Sequence, residues 1–140
     1  MSWLRDPAPP AFISAALLFL RLIVGAAFVL HGRPKLAHPT SWMGAPGTGA
    51  PPAALQVLAV VAEVGGGLAV LLGLLTRLGA VGILAMMIGA LVTVHLPNRH
   101  PFVSTSAPSS ELPFVYIAIA LVLLVVGPGA WSLDALLLTR

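Results

Sequence analysis

The sequence predicts an all-α integral membrane protein, a four-helix bundle followed by a short amphipathic interfacial helix near the C-terminus. Three observations predict it. Of 140 residues, 59% are hydrophobic and only 8% charged, against about 45–50% and about 25% in soluble domains. The mean hydropathy is +1.03. Four apolar runs reach or approach the roughly 20 residues that cross a bilayer. A soluble globule could not cover itself with seven Lys/Arg and four Asp/Glu, so the apolar excess faces lipid. An ordinary cytosolic enzyme, a nucleic-acid reader and a disordered segment are excluded. The net charge of +3 forms no basic stripe, so no nucleic-acid partner is expected. With no Cys, the chain has no thiolate and no iron–sulfur ligand set. Any redox chemistry must come from a cofactor or a partner subunit, and the chain is not expected to be catalytic alone. The whole of 1–140 reads as one domain.

The first span, residues 11–31, carries Arg21 near its middle and runs into His31-Gly32-Arg33-Pro34-Lys35. Those residues do not suit a cleavage site, so the span is read as retained rather than as a signal peptide. A loop rich in Gly, Pro and Ala, with Trp42 and Met43, leads to the second span, residues 53–75. Only Thr76-Arg77 separates this from the third span, residues 78–95, which predicts a tight helical hairpin. A loop with three Pro and a Ser/Thr run precedes the fourth span, residues 112–126, the shortest. A re-entrant segment is its competing reading. Gly127-Pro128-Gly129 ends that helix, because Pro lacks an N–H donor and Gly terminates helices readily. The run from Ser132 to Leu138 then predicts a short helix with Ser132 as N-cap, Asp134 in its positive first turn, and Trp131 at the interface.

This topology places both long loops on one side of the membrane and the termini with the Thr76-Arg77 turn on the other. Arg5, Arg77 and Arg140 oppose Arg33, Lys35 and Arg99, so the positive-inside rule does not orient the chain. The short turn and long loops favour cytoplasmic termini. Arg5, Asp6, Arg77, Asp134 and Arg140 read as interface anchors and caps at helix ends.

Lipid gives helices no hydrophobic reason to associate, so small residues mark close contacts. Gly65, Ala69 and Gly73 form one expected ridge, and Ala85, Gly89 and Thr93 a second. These ridges would join the hairpin helices, or Gly65-Gly66-Gly67 would leave room for a flat ligand.

Two charges, Arg21 and Glu63, lie deep in apolar runs, where a charge costs at least about 2.5–3.5 kcal/mol and needs a partner. Arg21 lies ten residues before His31, and Glu63 ten residues after Ala53. At about 1.5 Å per residue both fall about 15 Å below the long-loop surface. The matched depth predicts an Arg21–Glu63 ion pair, which would either fix helix register or line a polar pocket. Gly25, Phe28 and Gly32 share the Arg21 face, and Gly66, Gly67 and Val70 flank Glu63. His31, Lys35, His95 and Glu111 border the same membrane face. These six ionisable residues form the expected ligand-binding set. His31 and His95 could hold haem or a metal, but without a fixed spacing they read more simply as rim histidines, and no metal site is expected. His38 and His100 fall in loops. A quinone headgroup suits the set better, because His and Glu can bond its carbonyls and exchange protons. A lipid or other hydrophobic molecule fits almost as well.

The assembled pattern resembles the DoxX family of small four-helix bacterial membrane proteins, over nearly the whole chain. The matching residues are Arg21-x3-Gly25-x2-Phe28-x2-His31-Gly32-x2-Lys35, then Glu63-x2-Gly66 and Gly73-x2-Thr76-Arg77. Met86, Met87 and His95 match the third span, and Glu111 precedes the fourth. The tail Gly127-Pro128-Gly129-x2-Ser132-Leu133-Asp134 is the most characteristic piece. The resemblance implies an inner-membrane protein with cytoplasmic termini and a link to redox physiology. DoxD-type relatives resemble the membrane subunit of thiosulfate:quinone oxidoreductase, and some family members are associated with superoxide dismutase and sulfurtransferase partners.

Two functions are therefore expected. One is a membrane subunit that binds a quinone or similar ligand between the first three spans. In it Arg21 and Glu63 organise the pocket, His31, Lys35 and His95 contact the headgroup, and Glu111 tunes the rim. The other is a non-catalytic accessory subunit of a larger redox complex, or a homo-oligomer, using its apolar surface and proline-rich loops. A channel would require an oligomer.

Overall fold

A computed structural model describes residues 10–45 and 47–138. Arg5, Asp6 and Arg140 of the expected anchors lie outside the described residues. The architecture is helical, with α1 at Ala11–Gly32 running into a single 3-10 turn at Arg33–Ala37. Helix α2 covers Ala53–Leu72 and α3 covers Thr76–His95. Helix α4 is Glu111–Val126 and α5 is Leu133–Leu138. Among the described residues three helices are long and apolar enough to cross a membrane, and α4 is a shorter apolar helix. Two wider π-helical segments interrupt the long helices, at Val61–Gly65 in α2 and at Leu91–His95 in α3.

The hairpin between α2 and α3 turns earlier than the sequence suggests. Gly73 takes a left-handed conformation, φ 68°, that a side chain would oppose. The Gly73 amide donates to the Val70 carbonyl (3.2 Å) and the Leu74 amide to the Ala69 carbonyl (3.0 Å). This pattern closes a helix with a Schellman motif. Thr76 and Arg77 therefore open α3 rather than separate the spans. The new helix starts there because the Asp134 carboxylate takes the Leu75 and Thr76 amides at 2.7 and 2.9 Å.

The core is narrow. Leu17, Val24, Phe28, Val70, Ala80, Ile83, Ala120 and Leu123 form it, and Phe28 meets Tyr116 edge-to-face at 4.9 Å. The larger apolar side chains point outward, Phe12 at 74% and Val125 at 77% exposure among them. That inversion suits a bundle solvated by hydrocarbon, where packing and small residues hold helices together.

Of the expected ridges only Ala69 lies in the α2–α3 contact; the close approaches fall at Gly66 and Gly67 of α2 and at Gly79 and Gly82 of α3. A Cβ on Gly67 would lie 2.9 Å from Phe28 Cβ and 3.1 Å from the Gly25 carbonyl oxygen, so this pair joins α1 to α2. Gly66 faces Gly79, Ala69 also meets Gly79, and Gly82 faces Ala62 across α2 and α3. Gly89 has open space around it, and Gly65 meets only Val61 of its own helix. Backbone and side chains occupy the room beside Gly66 and Gly67, leaving no slot there for a flat ligand. A four-residue spacing finds a face of a straight helix, and the π segment at Val61–Gly65 rotates the face that α2 presents.

The same contacts set the stagger of the bundle. Gly25 is level with Gly67, and Gly32 with Glu63 and Val64. Arg21 is level with Gly73, since a Cβ there would overlap its guanidinium. Helix α1 thus ends near the middle of α2 in height.

Candidate functional site

The stagger separates the two membrane charges. The expected Arg21–Glu63 pair is absent. Gly32, not Arg21, sits beside Glu63, with the Glu63 Cγ 3.3 Å from where a Gly32 Cβ would be. Gly32 follows Arg21 by eleven positions in α1, about 16 Å of rise. The depth estimate failed because it took His31 and Ala53 as one level. In fact ten residues of α2 rise past the end of α1, and the loop between them covers that extension. Helical side chains also lean toward the helix N-terminus, which turns these two antiparallel residues further apart.

Arg21 belongs to the end bearing the hairpin turn. It is fully buried, and its Nη2 donates to the Trp131 carbonyl at 2.5 Å. Its Nε and Nη1, like the Thr76 hydroxyl, have no hydrogen-bond partner among the described residues. The Asp134 carboxylate supplies the nearby opposite charge. The glycine-proline tail brings these groups together. Gly129 packs on Leu17 and Ser14, and the Ala130 amide donates to the Ser14 hydroxyl at 3.1 Å. Ser132 caps α5 as expected, accepting from the Ala135 amide at 3.1 Å and donating to the Gly129 carbonyl at 2.8 Å. Asp134 lies in the first turn of α5, but its carboxylate caps α3. Its amide also donates to the Gly73 carbonyl at 2.8 Å. Arg77 holds the end of α4 through the Leu124 carbonyl at 3.1 Å and lies beside Gly127. This end is a clasp that ties the tail to three helices.

Glu63 belongs to the long-loop end. It is 5% exposed and sits within the π segment of α2. Its Oε2 accepts from Lys35 Nζ at 2.5 Å. The Lys35 ammonium also stands over the Trp42 ring, 4.3 Å from its centroid. The 3-10 turn at Arg33–Ala37 makes this possible, because it carries Lys35 off the end of α1 and back over α2. Gln56 fixes the loop above. It is 1% exposed, its side-chain amide donates to the carbonyls of Gly44 (3.1 Å) and Pro51 (2.9 Å), and its Oε1 accepts from the Met43 amide (2.9 Å). The Gln56 backbone carbonyl accepts from Trp42 Nε1 at 3.2 Å. One buried amide therefore positions the aromatic ring over the lysine.

The remaining expected residues lie apart from this pair. His31 is exposed, with Nδ1 3.0 Å from the Ala27 carbonyl of its own helix. Glu111 is an exposed residue in the first turn of α4. His95 lies thirteen residues past Gly82, which faces Ala62, so it is about 20 Å farther out than Glu63. Its partner is His100 rather than His31, with the two Nδ1 atoms 3.2 Å apart.

Sequence reasoning overlooked Gln56, Trp42 and His100. An amide four residues into an apolar helix was the available signal for Gln56, since a buried amide requires partners. Nothing local marked Trp42 or His100, whose roles depend on how loops return.

Chemically, the long-loop end offers a buried carboxylate, an ammonium that is 22% exposed and an aromatic face, all bordered by lipid-facing apolar helices. That combination defines a helical integral membrane protein with a buried polar cluster at one end. The chain belongs to the DoxX family, whose model matches residues 16–96. A protein of Haemophilus influenzae is 34% identical over 119 residues, covering 84% of this chain and 87% of that protein. A membrane protein of Mycobacterium tuberculosis is 35% identical over 154 aligned positions, covering 99% of this chain and 90% of that protein. No solved structure matches the chain.

Proposed function

We propose that this protein binds a hydrophobic molecule with a polar, carbonyl-bearing headgroup, of which a quinone is the representative, at the Lys35–Glu63–Trp42 end of the bundle. Lys35 donates to a headgroup carbonyl, Glu63 accepts or delivers the accompanying proton, and Trp42 stacks on the ring. The apolar tail lies in the lipid-facing surface alongside. The observation that carries this reading is the ion pair itself. A charge pair is costly in hydrocarbon and tends to be functional there, and this one sits on a π segment, a feature common at functional sites.

His31 and Glu111, both exposed and apart from the Lys35–Glu63 pair, are left out of this site. Arg21 is reassigned from the pocket to the clasp at the other end. The proposal includes a bacterial inner-membrane location, a role in redox physiology and cytoplasmic termini, for which the family resemblance is the support. Two observations support that orientation. One is the short turn at Gly73–Leu75 against the two long loops, and the other is that Arg21 directs its guanidinium toward the turn side.

The test is mass spectrometry of lipids and quinones that remain with the protein in a gentle detergent, comparing wild type with Lys35→Met and Glu63→Gln. A co-purifying quinone lost in both variants is expected. Its absence from folded wild-type protein extracted from quinone-containing membranes would overturn the proposal.

The accessory-subunit reading has one observation in its favour. The core of the four helices is filled by Val24, Val70, Ile83 and Leu123, each 0–2% exposed, so interaction through the outer surface is the other available role. A stoichiometric partner retained in gentle detergent would support it.

A further inference from the structure

We infer that His95 and His100 form a binding site for one divalent transition-metal ion of the zinc class. It lies at the outer rim, separate from the Lys35–Glu63 pair. Neither the family match nor the relatives assign a metal to this chain, and the sequence alone led to no metal site.

The inference starts from backbone. Helix α3 ends in the π segment Leu91–His95, and the chain then doubles back. The Leu96 amide donates to the Leu91 carbonyl at 2.8 Å, and the His100 amide to the His95 carbonyl at 3.0 Å. Both are five-residue returns. Arg99 is held at φ 51° between them, a left-handed conformation that a β-carbon disfavours. Such conformations cluster at binding and switch sites. The outcome is that His100 folds over His95, with ring centroids 5.1 Å apart and planes at 79°.

The nitrogen geometry carries the next step. The two Nδ1 atoms face each other at 3.2 Å. Without a metal, one ring must donate its Nδ1 proton to the other. Two imidazole nitrogens on one tetrahedral zinc ion, each about 2.0–2.1 Å from it, stand about 3.3–3.4 Å apart. The observed separation is close to that value, so both nitrogens can reach one cation once the rings turn to aim their lone pairs at it. Imidazole nitrogens suit zinc, copper, nickel and cobalt better than magnesium or calcium. Both histidines are partly exposed, so an ion can reach them from the aqueous side.

Among the described residues no group of three or more His, Cys, Asp or Glu could hold a metal. The site therefore supplies two protein ligands and leaves the other positions to water or to an incoming molecule. Two protein ligands are fewer than the three or four of catalytic and structural zinc sites, so binding weaker than at those sites is expected.

The test is equilibrium binding of Zn2+ alone to the purified full chain in detergent, with any polyhistidine tag removed. Wild type is expected to bind one ion per chain. His100→Ala and His95→Ala should each reduce that binding at least tenfold, while His31→Ala and His38→Ala should leave it unchanged. Because His95 lies in a helix, circular dichroism checks that its variant folds. His100, in the connecting loop, gives the second independent variant. Co2+ as a substitute should give an absorption band in wild type that disappears in His100→Ala. The inference is overturned if wild type binds no more Zn2+ than the His95/His100 double variant. Loss of the ion in His31→Ala or His38→Ala alone would overturn it equally.

Discussion

Replacing Lys35 with Met should destabilise the protein more than replacing Glu63 with Gln, and the reason lies in where each partner can go. Glu63 has a side chain only 6% exposed, against 22% for Lys35. When Glu63 is removed, the long lysine chain can swing its ammonium out to water. The loss is then a partly exposed pair, about 1 kcal/mol after allowance for solvent screening. When Lys35 is removed, Glu63 is left buried on a helix it cannot leave. Breaking a buried pair from one side costs about 3–5 kcal/mol. The site is not fully sealed from solvent, since the lysine it loses was 22% exposed, which lowers that figure. The expected values are therefore about 1 kcal/mol for Glu63→Gln and about 2–4 kcal/mol for Lys35→Met. The assay is denaturant unfolding in detergent micelles followed by circular dichroism, with the double variant completing a cycle. Lys35 and Glu63 should couple by at least about 1 kcal/mol, as contacting residues do. Arg21→Gln combined with Glu63→Gln should be additive within about 0.5 kcal/mol. Strong Arg21–Glu63 coupling with none for Lys35–Glu63 would refute the stagger of α1 against α2.

Asp134→Ala should cost about 1–2 kcal/mol by removing the cap from the Leu75 and Thr76 amides, and hydrogen exchange at those two amides should accelerate, with Asp134→Asn milder. Gly67→Ala should destabilise by about 1–3 kcal/mol, since its new Cβ would meet Phe28 and the Gly25 carbonyl. Gly89→Ala should be neutral or stabilising by up to about 1 kcal/mol, because that helical site is open; the contrast is read from melting temperatures of both variants. Gln56→Leu should release the loop around Trp42, seen as faster proteolysis between Ser41 and Pro51 with helix content unchanged.

Much of the fold was legible because lipid imposes it. Each apolar run in the sequence became a helix, and Gly127-Pro128-Gly129 with Ser132 and Asp134 marked the tail helix. These are local signals, carried by hydropathy, helix breakers and caps. The register between helices was not local. Placing Arg21 opposite Glu63 required knowing that α2 extends past the end of α1, and only the Gly25–Gly67 and Gly32–Glu63 contacts reveal that. The ridges failed similarly, because the π segment around Glu63 shifts the contact face from Gly65 to Gly66. Of the expected ligand set, Lys35 and Glu63 came together, but by a 3-10 turn that the run Arg33-Pro34-Lys35 announces only weakly. Asp134 shows a subtler limit. Its place in the first turn of α5 was predictable, but its cap on another helix depends on tertiary approach.

The most direct test of a headgroup site at Lys35 and Glu63 is fluorescence of Trp42, whose ring stands over the Lys35 ammonium. In a background with Trp3→Phe and Trp131→Phe, a short-tailed quinone is titrated into folded protein in detergent. Saturable quenching that weakens at least tenfold in Lys35→Met, with Arg21→Gln unaffected, is the predicted result. Quenching that does not saturate, or that is the same in wild type and Lys35→Met, would contradict a ligand site there.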